Sequence, residues 1–108
     1  MEIKNVIGDS SPEVFEKLQG GTLINVQIEE VVTEDEVVKY RYKQVFTTET
    51  NEEKLEKVKT RMLVKIYQDY LDDTDHKFYG DYEPKVDEDL EHMRAKRSEA
   101  RAFIRANR

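Results

Sequence analysis

Residues 22–46 contain two runs in which apolar and polar side chains alternate, separated by a polar cluster at residues 33–36. The apolar positions are Ile24, Val26 and Ile28 in the first run, and Val38, Tyr40, Tyr42 and Phe46 in the second. A two-residue period is typical of strands with one buried face, so the two runs predict an antiparallel hairpin. We expect its other face to be solvated, with ion pairs from Glu29 or Glu30 to Lys39, Arg41 or Lys43.

A helical period replaces this alternation after residue 50. Its apolar stripe consists of Leu55, Val58, Met62, Ile66 and Tyr70, widened by Leu63, Tyr67 and Leu71. The helix begins either with a capping box formed by Thr50 and Glu53 or with Asn51 as its N-cap. Because an isolated hairpin is only marginally stable in water, we expect this long amphipathic helix to pack across the apolar face of the hairpin.

The N-terminal segment predicts a short helix between residues 11 and 19. Ser11 suits its N-cap, Pro12 its first position, and the glycine pair at 20–21 its end. Its buried side chains would be Val14, Phe15 and Leu18. Further upstream, a first short strand and a simple hydrophobic anchor are both compatible with the apolar residues Ile3, Val6 and Ile7.

A last helix is predicted to begin at the acidic residues 87–89 and to continue into an arginine-rich second half. This charge distribution favours a helix, because acids stabilise the N-terminal end of the helix dipole and bases the C-terminal end. The apolar stripe is thin, with Arg97 interrupting it between Leu90, Met93, Ala100, Phe103 and Ile104. Such a helix is expected either to pack loosely on its own domain or to contact another subunit.

These elements predict one α+β domain, because 108 residues suffice for one modest core. An antiparallel hairpin or small sheet would pack against the long helix, with the short N-terminal helix and the C-terminal helix added to it. Residues 1–86 would form the core, comprising short helix, hairpin, long helix and joint. Residues 87–108 would form the charged helix, either as part of the same domain or as an interaction arm.

The composition is polar for a folded chain. Charged residues make up 39 % of the sequence, and the mean hydropathy is −0.86, so a partner could supply part of the burial. The absence of cysteine excludes disulfides and thiolate zinc sites, and it suits a reducing compartment. We expect no signal peptide and no membrane span, because no apolar run is long enough, and we expect a cytoplasmic protein.

Charge is distributed unevenly along the chain. Six basic residues and one acid lie between Arg94 and Arg108, giving this segment a charge of +5 and leaving −11 for residues 1–93 within the net charge of −6. The basic segment could contact phosphates. The acidic remainder opposes nucleic acid, and no aromatic platform is interleaved with the arginines in sequence, so nucleic acid is not expected as a partner.

Candidate chemistry is sparse in this sequence. The segment around Asp73 and Asp75 has the first spacings of a calcium loop, but Lys77 and Phe78 occupy positions that need an oxygen ligand and a glycine. A looser transition-metal site would draw on Asp72, Asp75, His76 and His92. Solvated loop carboxylates account better for these residues. Without a nucleophile turn or a phosphate loop, we expect no enzymatic activity and no cofactor.

The stretch YLDDTDHKFYGDYEP, residues 70–84, lies between the last two predicted helices. It contains four aspartates, one histidine and four aromatic rings within fifteen residues. We interpret it as a joint, in which Asp72, Asp73 and Thr74 close one helix, Gly80 permits a bend and Asp87 opens the next helix. Phe78 and Tyr79 would lie beneath this turn.

Residues 70–105 resemble the C-terminal segment of small tailed-phage proteins, namely tail-fibre assembly chaperones and related tail accessory proteins. The matching features are a helix ending in Leu-x-x-Thr-Asp, a short aromatic piece, a proline-containing acidic linker and a last helix with an Arg-x-x-Arg rhythm. In this sequence they are Leu71, Thr74 and Asp75; Lys77, Phe78 and Tyr79; Pro84; and Arg94, Arg97 and Arg101. The sequence departs from the pattern at His76, where such proteins often carry tryptophan.

The resemblance implies protein–protein assembly without a cofactor. We therefore predict a non-enzymatic phage or prophage protein for tail assembly, or a virion accessory, that binds a structural phage protein or forms homo-oligomers. It would reside in the host cytoplasm or be incorporated into a virion. The predicted interaction residues are Phe78, Tyr79, Tyr82, Met93, Arg97, Arg101, Phe103 and Ile104. The alternative is a small acidic inhibitor or regulator that imitates nucleic acid and binds a basic host factor.

Overall fold

The computed structural model describes residues 1–78, 83 and 89–107. It consists of two compact units, Met1–Met62 and Leu63–Arg108, and each is described by itself. The division falls inside a helix that belongs to both units. The domain boundary predicted between residues 86 and 87 lies outside the described residues.

The first unit is built on a four-stranded antiparallel sheet. Its strands are β1 (Lys4–Gly8), β2 (Phe15–Leu18), β3 (Gly21–Val32) and β4 (Val38–Thr47). Their order across the sheet is β1-β4-β3-β2. The predicted hairpin is confirmed as β3 and β4. Of the two alternatives left open for the segment around Val6 and Ile7, the structure shows the strand, β1. The α+β class is confirmed.

The short helix predicted between residues 11 and 19 is wrong, because β2 occupies this segment. Phe15 pairs with Ile24 and Leu18 with Gly21, so β2 and β3 form a second hairpin. Gly20, with φ of 87°, forms its turn in a backbone region that glycine adopts without steric cost. The glycine pair therefore closes a hairpin here and does not end a helix.

A β-bulge in β3 changes which side chains reach the core. Val26 pairs with Lys43 and Glu29 with Arg41, so β3 has one residue more than β4 between these pairs. Gln27, with φ of 52°, lies in the bulge. Ile24 and Val26 are buried as predicted, and Glu29 forms the expected ion pair with Arg41.

The face assigned to β4 was wrong. Val45, opposite Ile24, is the buried residue of this strand, whereas Phe46 on the other face is 53 % exposed. Val38, from the same predicted apolar side, is also exposed. The reason is the register: neighbouring residues on a strand point to opposite faces, so pairing of Val45 with buried Ile24 directs Phe46 away from that core.

Asn25 anchors the segment that precedes β2 through a side-chain hydrogen bond. Because β1 and β2 lie at opposite edges of the sheet, residues 9–14 must connect the two edges. The side-chain amide of Asn25 donates a hydrogen bond to the carbonyl oxygen of Glu13 at 2.8 Å, and its oxygen accepts one from Gln44 at 3.0 Å. Asn25 is completely buried, contrary to the solvated position predicted from the alternation.

Helix α1, Glu52–Thr74, begins as one of the two alternatives predicted. Asn51 is the N-cap, since its side-chain oxygen accepts a hydrogen bond from the Lys54 amide at 3.2 Å. In the first unit, Leu55 and Met62 of its apolar stripe are fully buried. The hydroxyl of Thr22 donates to the Glu49 carbonyl oxygen at 3.0 Å and thereby joins β3 to the segment before the helix.

The second unit contains the remainder of α1, a short 3₁₀ helix (Asp75–Phe78) and helix α2 (Leu90–Asn107). Asp89 caps α2, because its carboxylate accepts a hydrogen bond from the His92 amide at 3.0 Å. The acidic start predicted for this helix is thus confirmed at Asp89. The two helices run antiparallel, since Tyr67 lies against Phe103, whereas Leu71, farther along α1, contacts Arg97, earlier in α2.

Candidate protein-binding surfaces

Arg97 of α2 is used inside the chain. Its side chain is buried, with 3 % of the residue exposed, and its guanidinium donates hydrogen bonds to the Leu71 carbonyl oxygen at 2.8 Å and the Thr74 hydroxyl at 2.5 Å. It also forms an ion pair with Asp75 at 2.5 Å. The residue that interrupts the apolar stripe in the sequence thus fixes α2 to the end of α1.

The polar end of α1 explains why an arginine occupies this position. The last four carbonyl groups of a helix have no partner within the helix, and the last turn of α1 contains no basic residue. The guanidinium of Arg97 supplies several donors in a fixed plane, so it can satisfy Leu71 and Asp75 together. Arg97 therefore takes the role of a C-terminal cap contributed by another helix.

Aromatic rings from α1 and the 3₁₀ helix lie beside the other cations of α2. The Phe78 ring centroid is 5.6 Å from the Arg94 guanidinium and 5.1 Å from that of Arg97. The Lys96 ammonium is 4.6 Å from the Tyr70 ring centroid, and burial raises the pKa of the Tyr70 hydroxyl. Folding thus brings rings and cations together, although they are not interleaved in sequence. These rings contact cations of their own chain.

A shallow groove of about 180 Å³ lies on this second unit. It is lined by Gln68, Leu71, Arg101, Ile104 and Arg105, and we call it the arginine groove. Leu71 is buried and Ile104 half-buried, so the groove has an apolar component, whereas both arginines are exposed. Within the described part of the chain, no acid forms an ion pair with Arg101 or Arg105.

The predicted interaction residues are distributed over several places. Arg101 and Ile104 lie together in the arginine groove. Phe103 is half-buried against Tyr67, with ring centroids 5.0 Å apart. The Phe78 ring lies beside the guanidinium groups of Arg94 and Arg97, and Met93 is half-buried. Arg97 is buried within the chain, and the last two, Tyr79 and Tyr82, lie outside the described residues.

A second surface, at the turn between β3 and β4, was missed from the sequence. Three of its four valines, Val32, Val37 and Val38, are 63 %, 47 % and 41 % exposed, and its acids are Glu30, Glu34, Asp35 and Glu36. We call residues 30–38 the acidic tip. The run EVVTEDEVV, with acids between two valine pairs, was the signal available in the sequence.

The acidic tip is held in shape by its own turn. The Thr33 amide donates to the Val37 carbonyl oxygen at 3.0 Å, and the Glu36 amide donates to the Thr33 carbonyl oxygen at 3.0 Å. Glu36 has φ of 59°, the left-handed conformation that completes such turns. Its four acids form no ion pair with any described residue, so their charge is available to a partner.

The described residues also contain a cleft and a carboxyl group with a lowered pKa, both in the first unit. No group of three or more His, Cys, Asp or Glu among the described residues could hold a metal ion, and no described helix is long and apolar enough to cross a membrane. In the first unit, a cleft of about 450 Å³ is lined in part by Val45, Val58, Glu49 and Arg61. A hydrogen bond from the Asn51 amide lowers the pKa of the Glu49 carboxyl. This contact lies in the segment that leads into α1.

Comparison with known proteins gives no family for this chain. No protein-family model matches it, and neither a curated protein nor a solved structure shows significant similarity to it.

Proposed function

We propose that this chain is a non-enzymatic assembly protein of a tailed phage or prophage, acting as a tail-assembly factor or virion accessory through protein–protein contacts. Support comes from the resemblance of residues 70–105 to tail accessory proteins. In this proposal the protein works in the host cytoplasm or becomes part of the virion, and it requires neither cofactor nor metal.

The observation that carries the proposal is the arginine groove. Apolar side chains next to two arginines with no described ion pair form a surface that an acidic, partly apolar protein segment can cover. Arginine suits such a surface, because its guanidinium binds carboxylates in a planar, bidentate geometry and is weakly hydrated. Buried Arg97 holds α2 in place and thereby fixes the position of Arg101 and Ile104.

Affinity capture tests this function. The tagged chain is expressed in cells in which the tailed phage that encodes it is assembling, and bound proteins are identified by mass spectrometry. We expect a structural tail protein, and we expect its yield to fall at least about tenfold with Arg101→Glu/Arg105→Glu. Lys54→Glu/Lys57→Glu, the same charge change on exposed positions of the first unit, is the matched control and should retain the partner.

The acidic tip favours the second candidate, an inhibitor that imitates nucleic acid. That function predicts capture of a basic, nucleic-acid-handling host protein, with binding that weakens steeply as salt increases. Substitution of Glu34 and Asp35 by lysine would then abolish binding, whereas the Arg101→Glu/Arg105→Glu variant would bind normally. This pattern of binding would support the inhibitor function and contradict the assembly function.

A further inference from the structure

We infer that the arginine groove receives the acidic tip of a second copy of this chain, so that copies associate head to tail. The inference deepens the proposed function and rests on it, since it names one partner of the assembly surface. The two surfaces belong to different units of the chain, the tip to Met1–Met62 and the groove to Leu63–Arg108.

Charge complementarity identifies the occupant. The groove has two exposed arginines that form no ion pair with a described residue. The tip has four acids that likewise form no ion pair with a described residue. Gln68, which also lines the groove, donates a hydrogen bond to the Asp72 carboxylate at 3.2 Å, and no ion pair joins Asp72 to Arg101 or Arg105 among the described residues. A partner carboxylate is therefore the group that would complete both arginines.

The apolar parts of the two surfaces also match. The tip exposes three valines beside its acids, and the groove contains Leu71 and Ile104 beside its arginines. The exposed valines of the tip and the half-buried Ile104 of the groove would be removed from water on contact, which favours association.

The geometry of the contact has a consequence for assembly. A tip-to-groove contact joins two different surfaces, so a pair of copies still has one free groove on one copy and one free tip on the other. Such heterologous contacts produce rings where the rotation closes and filaments where it does not. Further copies can therefore be added without a new type of contact.

Charge exchange between the two surfaces provides the test. In sedimentation velocity at low salt, we expect the wild-type chain to increase in mean mass with concentration and to dissociate when sodium chloride is raised from about 0.05 to 0.5 M. Arg101→Glu/Arg105→Glu alone and Glu34→Lys/Asp35→Lys alone should each associate at least about tenfold more weakly. Circular dichroism of each variant shows whether it is folded.

Mixing the two variants gives the decisive result. The mixture should regain association, because the unchanged tip of one variant fits the unchanged groove of the other, and the two reversed surfaces also attract each other. Failure of the folded variants to associate on mixing, or a wild-type chain that is monomeric at every concentration, would overturn the inference. A monomeric chain that still captures a tail protein through the groove would overturn self-association while leaving the proposed function intact.

Discussion

The guanidinium of Arg97 donates a hydrogen bond to the carbonyl oxygen of Leu71 at 2.8 Å, and this contact joins the middle of α2 to the C-terminal end of α1. The same guanidinium binds Thr74 and Asp75, so a single buried side chain satisfies a helix end and an ion pair. The orientation of the arginine groove depends on this contact, because Arg101 and Ile104 follow Arg97 on α2.

Arg97→Ala should destabilise the second unit by about 2–3 kcal/mol. Truncation leaves the Leu71 carbonyl and the Asp75 carboxylate without this partner, although the half-exposed Asp75 keeps part of its hydration, which makes the cost smaller than for a fully buried pair. Urea unfolding followed by circular dichroism measures the loss. Arg94→Ala, at an exposed arginine on the same helix, should cost less than about 0.5 kcal/mol. Equal losses for the two variants would show that Arg97 has no special role.

Gly21→Ala should destabilise the first unit by about 1–3 kcal/mol, because the position has no room for a methyl group. An added Cβ would lie 2.3 Å from the Thr47 carbonyl oxygen and 2.7 Å from the Phe46 ring. Phe46→Ala should not rescue the variant, since the Thr47 backbone remains in place. At Gly8 the nearest atom is 3.5 Å away, so Gly8→Ala should have a much smaller effect on the thermal unfolding midpoint. Rescue by Phe46→Ala would contradict the stated cause.

Asn25→Ala should cost about 1–3 kcal/mol, because it empties a buried position and leaves the carbonyl of Glu13 and the side chain of Gln44 without their partner at partly buried hydrogen bonds. Asn25→Asp should cost more, since a carboxylate would face the Glu13 carbonyl oxygen in place of a donor. Chemical denaturation of both variants measures the difference. Proteolysis within residues 9–14 should also accelerate if Asn25 anchors this segment, and an unchanged cleavage rate would show that it does not.

Glu49→Gln should reduce stability near neutral pH and have little effect in acid. The carboxylate accepts hydrogen bonds from the Thr50 and Asn51 amides, which lowers its pKa below the ordinary value of 4.5 in the folded chain. A lowered folded-state pKa contributes stability above 4.5 and loses it as pH falls through the folded value. Thermal unfolding across this pH range should show wild type and variant converging in acid. Parallel curves for the wild type and the variant would contradict this assignment.

The two long elements were predictable, because periodicity extends over many residues in them. Ile24 and Val26 alternate over a strand, and the stripe from Leu55 to Met62 repeats over several helical turns. The Asn51 cap was also visible, since it is a local interaction between a side chain and its own helix start.

The remainder depended on information that local patterns do not contain. A proline followed by paired glycines suits both a helix and a hairpin, so the four residues of β2 were assigned wrongly. The bulge at Gln27 and the opposite faces of Val45 and Phe46 follow from strand register. Arg97 could not be recognised, because its partners Leu71 and Asp75 are more than 20 residues away.

Disulfide trapping tests the head-to-tail contact most directly, because the chain contains no cysteine that could interfere. Asp35→Cys places a thiol on the acidic tip and Gln68→Cys places one in the arginine groove, and mild oxidation joins them only where their Cα atoms approach within about 7 Å. We predict a covalent dimer from the mixture of these two variants and none when Lys57→Cys replaces Gln68→Cys. No dimer from the first mixture, or equal amounts from both, would contradict the account.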